Sequence, residues 1–383
     1  MFGKKKPKKK WHRIVGIAFS LVSLIILTYV SISLIAGRQV NFNWFTSIFV
    51  PTAPIEIADE LPFYVGRNRT FANLGDGIAA AGTLGIQVLD HNGNETLRDA
   101  FRMFRPAVSA NNGRAIAFDI GGTAARVFDS GQLISSIEAS GPIVSASVNQ
   151  RGWVAVSTQE DNALRGVITV YNDRGIGMYR VNLGSGYALS AALSNDNRTL
   201  AVLNLIDTGS RVALFHGLRG QEPDSEFILP GSLVLDIRFL SNNNLLAIST
   251  DSLIIIDDDG NGSALFEFFE KRLSGFIIQD GVIILNLMDY GVGHVGRVVK
   301  LDERGRIQGE LTTNREIISM SYKNGSLFVL RNDGITIYDS EFNELHFYGE
   351  NPLSGLTRVL ALDAGVAVAT GEHLALAVRV NDD

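Results

Sequence analysis

The chain contains no cysteine. Disulfides, thiolate metal sites and cysteine nucleophiles are therefore excluded. Histidine is sparse too: His12, His91, His216, His294, His346 and His373 make up the whole set. No two have a metal-ligand spacing and none sits in H-E-x-x-H. No G-x-S-x-G elbow occurs, although spacing alone does not exclude a triad assembled from distant residues. No catalytic constellation stands out, and no cofactor is expected. Sustained 3.6-residue periodicity is missing beyond Leu61. Short Val, Ile, Leu and Phe runs between Gly, Asn and Asp clusters take its place, which reads as all-β.

Charge is unevenly placed. Lys4, Lys5, Lys6, Lys8, Lys9, Lys10 and Arg13 crowd the start of a chain whose formal charge is −6. The remainder is therefore more acidic than the total. A body of that sign argues against nucleic-acid binding, which needs a basic surface. From Ile14 to Gly37 no residue is charged. As a helix this run would span about 36 Å, enough to cross a hydrocarbon core of about 30 Å. Basic residues before it place the N-terminus in the cytoplasm. A cleaved signal peptide is the alternative, but its apolar region is usually shorter and ends in an A-x-A-like site. The expected layout is a cytoplasmic polybasic tail at 1–13, a single transmembrane helix at 14–37, a juxtamembrane stalk at 38–60 and a β domain at 61–383. Phe42, Trp44, Phe45 and Phe49 of the stalk suit a membrane interface.

The β region repeats. Strands ending in Asp or Asn before a turn recur at Asp90, Asp129, Asn172, Asp257, Asp302, Asp339 and Asn381, with His216 in the same place once. The interval is roughly 40 residues, the length of one four-stranded propeller blade. Eight turns predict an eight-bladed β-propeller, with seven blades as the runner-up. The last unit lacks an outer strand, and "LPFYV" at 61–65 has no blade of its own. Ring closure by that N-terminal strand is therefore expected, which removes an open edge.

Three motifs compete with this reading. "AIAFDIGGTAARVFD" at 115–129 resembles the phosphate-binding hairpin of the sugar-kinase, hexokinase and actin superfamily. In a propeller it is a second-to-third-strand hairpin, and none of that superfamily's later elements follows. Gly291-x-Gly293-x-x-Gly296 reads as GxGxxG, but a strand-like run follows where a dinucleotide site needs a helix. Asp257, Asp259 and Asn261 in "DDDGNG" offer alternating oxygens for calcium. The twelfth position of that loop holds Phe268 rather than Glu, so an acidic turn is the simpler reading.

The polybasic start, the uncharged run and repeats such as "VITVYNDRG" and "GITIYDSEFNE" resemble an uncharacterised family of membrane-anchored, WD-repeat-like propeller proteins from Gram-positive bacteria. The docking tryptophans of quinoprotein propellers are absent. The resemblance implies a single-pass, extracytoplasmic setting and no particular chemistry. The expected role is a protein-binding or scaffold module at the cell envelope, with the membrane and a protein as partners. A channel-mouth lyase or hydrolase acting on wall glycans and a sensor ectodomain are the alternatives. Three loops read as long and share one face. They offer Asp161, Arg165, Asp207, Arg211, Asp289, Tyr290 and His294 as binding residues.

Overall fold

Runs such as "VAVST" and "LLAIS" combine β-branched and small apolar residues between turn formers. They become the strands Val154–Thr158 and Leu245–Ser249, buried at every position. Unbroken burial means that both faces of the strand are covered. Outer strands behave differently. Gly177–Leu183 alternates between exposed and buried residues, as expected of a sheet edge with one covered face.

The computed structural model describes residues 55–380 apart from 61–62, 76, 112, 160–165, 292–294, 350–354, 364–365 and 372–374. The described strands form an all-β propeller of four-stranded antiparallel sheets, each running inner, second, third, outer. There are eight sheets. Seven come from unbroken runs of chain, with inner strands Thr70–Leu74, Pro106–Asn111, Ile143–Val148, Tyr187–Leu193, Val234–Phe239, Lys271–Gln279 and Ile317–Lys323. One is composite. Leu356–Asp363, Val366–Gly371 and Ala375–Val380 are completed by Ile55–Glu60, which pairs antiparallel with Ala375–Val380.

This corrects the sequence reading, which predicts eight blades from eight Asp or Asn turns: the structure has seven sheets of unbroken chain, each with such a turn, and one composite sheet. Seven such turns lie within the described residues, and each belongs to an unbroken sheet. The eighth, at Asn381, lies outside them, and the composite sheet takes its outer strand from the other end of the chain. The closing strand is also misplaced in the sequence reading: it is Ile55–Glu60, not 61–65. Phe63 and Val65 instead join a core cluster with Phe71 and Leu360. The helix expected at 14–37 lies outside the described residues. Among the described residues there is no helix, and so none long and apolar enough to cross a membrane.

The Asp and Asn turns have a single cause. In the turn after Gly296–Asp302, Asp302 Oδ1 accepts from the amides of Arg304 and Arg306, both at 2.9 Å. Asp90, Asn172, Asp257 and Asp339 accept from the same two positions. Asn172 does this without charge, so the oxygen matters rather than the carboxylate.

Neighbouring sheets pack face to face. Ile116 and Val127 of the second meet Val154 and Val156 of the third. Leu246 and Ile248 of the fifth meet Ile283 and Leu285 of the sixth. The ring closes where Leu360 and Leu362 of the composite sheet meet Phe71 and Ile78 of the first. Each fully buried side chain of this size contributes about 1.5–3 kcal/mol. A polar bond reinforces the closure: Arg358 Nη1 donates to the Phe71 carbonyl at 3.1 Å.

Candidate binding face and central channel

Propeller topology gives the molecule two unlike faces. One carries the Asp and Asn turns and the hairpins joining inner to second strands. The other carries the hairpins joining second to third strands and the segments leading into each inner strand. Backbone bonds knit this second, loop face together. Leu84 N donates to Val65 O, Phe101 N to Leu84 O, and Ile120 N to Arg105 O.

Exposed apolar side chains are not spread evenly. Among the described residues nineteen large ones are exposed. Twelve of these belong to the loop face, six to outer strands and one, Ile176, to a turn of the turn face. Phe104 is 89% exposed, Tyr290 72% and Phe269 67%; Leu84, Leu235 and Ile318 join them. Part of the cause is a repeated backbone irregularity. Six inner strands have a bulge near their start, for example between Ala188 and Ser190, Val234 and Asp236, and Ile317 and Ser319. An extra residue breaks the in–out alternation and turns its side chain outward. Leu189, Leu235 and Ile318 are such residues.

The residues expected to bind fall into three groups. Asp161, Arg165 and His294 lie outside the described residues. Asp207 sits in the turn between Thr199–Ile206 and Gly209–His216. "LIDTGSR" is therefore no long loop but two long strands with a tight turn. Arg211 is committed to structure: Nη1 pairs with Glu226 at 3.4 Å and Nη2 donates to Ser185 O at 2.9 Å. Asp289 forms an ion pair with Lys271. Tyr290 and Asp207 are the members of the group that are described and exposed. Asp207 and Arg211 belong to the fourth sheet, Asp289 and Tyr290 to the sixth, and no bond among the described residues joins the pairs.

The calcium candidates form one of the turns described above. Asp257 Oδ1 accepts from the amides of Asn261 at 2.7 Å and Asp259 at 3.1 Å, and Oδ2 from Asn261 Nδ2 at 3.1 Å. The Asn261 amide leads the groups that hold the Asp257 carboxyl below its usual range. These oxygens are occupied by the turn itself. Among the described residues no three His, Asp or Glu converge as a metal site.

The 115–129 hairpin holds a neighbouring loop. Asp119 Oδ1 accepts from the amides of Phe104 at 2.9 Å and Arg105 at 2.7 Å. Arg105 Nε donates to Ile120 O at 3.0 Å. Gly121, at φ +86°, leaves the space that the Arg105 guanidinium fills. A Cβ at Gly122 would come within 2.8 Å of the Asp119 carboxylate. The glycine pair thus allows the close approach of side chains from its own protein.

A cavity of about 1040 Å³ lies along the inner strands. Its charged lining side chains are Arg238, Asp280, Glu303, Lys323 and Arg358. Most are occupied. Arg238 pairs with Asp236 at 2.9 Å, and Glu303 accepts from the Ser241 amide and hydroxyl. Among the described lining residues no nucleophile stands next to a base.

Sequence reasoning missed Phe104. A signal was present in "FRMFRP": Phe101 and Met103 are buried, so Phe104 falls on the outward phase of the alternation.

Solved structures match this chain at identities that speak for the fold alone. The C-terminal WD40 domain of Sif2 matches with a TM-score of 0.61 and 14% identity, over 87% of this chain and 100% of that one. BamB from Moraxella catarrhalis matches with a TM-score of 0.53 and 16% identity, over 86% and 99%. AztD from Citrobacter koseri matches with 0.50 and 12%, over 74% and 86%. No curated protein matches the chain. The model of the family of unknown function DUF5711 matches residues 54–348, and the chain belongs to that family.

Proposed function

We propose that the chain is a scaffold propeller that docks a protein partner on its loop face, outside the membrane at the cell envelope. The observation that carries this reading is the uneven distribution of exposed apolar side chains: the loop face has twelve and the turn face one, Ile176, among the described residues. Single exposed apolar residues are ordinary on any protein, but their concentration on one face marks an interaction surface. Tyr290 and Phe269 are of the type that anchors interfaces. The similarity to BamB and to a WD40 domain supports a scaffold architecture. The envelope setting rests on the sequence alone, on the uncharged run 14–37 and the basic residues before it.

Crosslinking mass spectrometry on the full chain in its native membranes tests the reading. The comparison is between the natural chain and a variant carrying Leu235→Ser and Tyr290→Ala. A partner whose crosslinks to the loop face are lost in the variant supports the proposal. Crosslinks that persist in the variant, or that map to the turn face, overturn it.

A further inference from the structure

The loop face is not uniform. Over the first two sheets the exposed Leu84, Phe104 and Ile120 stand beside Arg67, Arg102 and Arg105. Backbone bonds connect these segments directly: Thr83 N to Arg67 O, Met103 N to Thr83 O, and Ile120 N to Arg105 O. The nearby carboxylates are already engaged. Asp119 accepts two amides, Asp99 pairs with Arg126, and Glu138 accepts from the Thr123 hydroxyl. The side chains of Arg67 and Arg102 have no partner among the described residues. A basic patch has therefore formed on a protein whose overall charge is −6.

Phe104 is the centre of the patch and is held there. At 89% exposure it gains nothing from burial. Its own amide and the next are fixed by Asp119, Phe101 and Met103 on its N-terminal side are buried, and Pro106 opens the following strand. A rigidly presented aromatic loses little conformational freedom when a partner covers it, and such residues dominate interfaces.

We infer that Phe104 and its arginines form the docking point for an acidic protein segment carrying an apolar side chain. This rests on the protein-binding reading above and deepens it. The apolar side chain of the partner covers Phe104 between Leu84 and Ile120. Its carboxylates meet Arg67, Arg102 and Arg105, whose planar guanidinium groups suit bidentate pairing. An anionic lipid surface has similar charge, and the test below separates it from a protein segment.

The test places the photo-crosslinker p-benzoylphenylalanine at position 104 of the full chain in its native cells, with position 235 in a parallel strain. Each is made with and without Arg67→Glu and Arg102→Glu, two changes that remove no side-chain bond among the described residues. The expected result is a crosslink at position 104 to a peptide rich in Asp and Glu, with yield falling at least tenfold in the charge-reversed background. A partner captured at 235 but not at 104 overturns this docking point and leaves the protein-binding reading intact. A lipid adduct at 104, or a crosslinked peptide without acidic residues, overturns the inference as well. No capture at either position overturns both.

Discussion

Asn149 shows how much a single amide does in this fold. It is buried at the turn between the inner and second strands of the third sheet. Its Oδ1 accepts from the amides of Arg151 and Trp153, and its Nδ2 donates to Ser194 O at 2.8 Å and Asn197 Oδ1 at 2.6 Å. One side chain thus closes its own turn and ties the third sheet to the fourth. Asn149→Ala leaves several of these groups unpaired and is expected to cost about 2–3 kcal/mol. A lowered urea midpoint at unchanged m-value is the readout. Tyr179 offers a pH test. Burial, with Asp224 adding to it, pushes its hydroxyl up to about 12 from 10.0. The fold therefore favours the protonated phenol. Its contribution is intact below pH 10 and is lost as pH rises from about 10 towards about 12. Tyr179→Phe should flatten that alkaline limb of the stability profile; an unchanged limb would assign base unfolding to another group. At this scale the sequence was an uneven guide. Tyr290 read correctly as exposed, whereas Arg211 read as a free binding residue and is tied to Glu226 and Ser185. Residue type does not reveal which charges are already partnered.

The repeating unit was legible at the level of elements because its turns have a local cause. An Asp or Asn side chain that bonds two following amides leaves the same mark wherever it occurs. Bulges leave no such mark. Leu189, Leu235 and Ile318 stand in apolar runs of inner strands, and only the two-against-one pairing with the second strand turns them outward. The closing strand was hidden for a different reason. "IEIADE" is short, acidic and preceded by prolines, and its pairing partner lies at the far end of the chain. Non-local pairing of that kind is invisible to local patterns. Its importance can be measured by replacing Ile55–Glu60 with a Gly/Ser segment of equal length. The Ala375–Val380 strand then becomes an open edge. The expected outcome is a lower melting temperature together with higher-order species on size-exclusion chromatography. A variant that elutes and melts like the natural chain would show that the ring does not depend on its composite sheet.

At the scale of the whole molecule, the cores lie between adjacent sheets rather than at one centre. Each sheet is held by two neighbours, and the first needs the last as much as it needs the second. The axis is left open, as a cavity lined by partnered charges. The rim of the loop face gathers twelve of the nineteen exposed large apolar residues among the described ones, and the turn face has one. A partner recognised on the loop face can therefore reach several sheets at once.

The seam has a mechanical consequence. Ile55 lies opposite Val380, so the two strands of the composite sheet that close the ring are antiparallel and have their outer ends side by side. A force applied between those two ends loads the backbone bonds of the seam one after another, as in a zipper, rather than all together in shear. The ring would then open at this sheet under modest tension while the seven unbroken sheets remain folded.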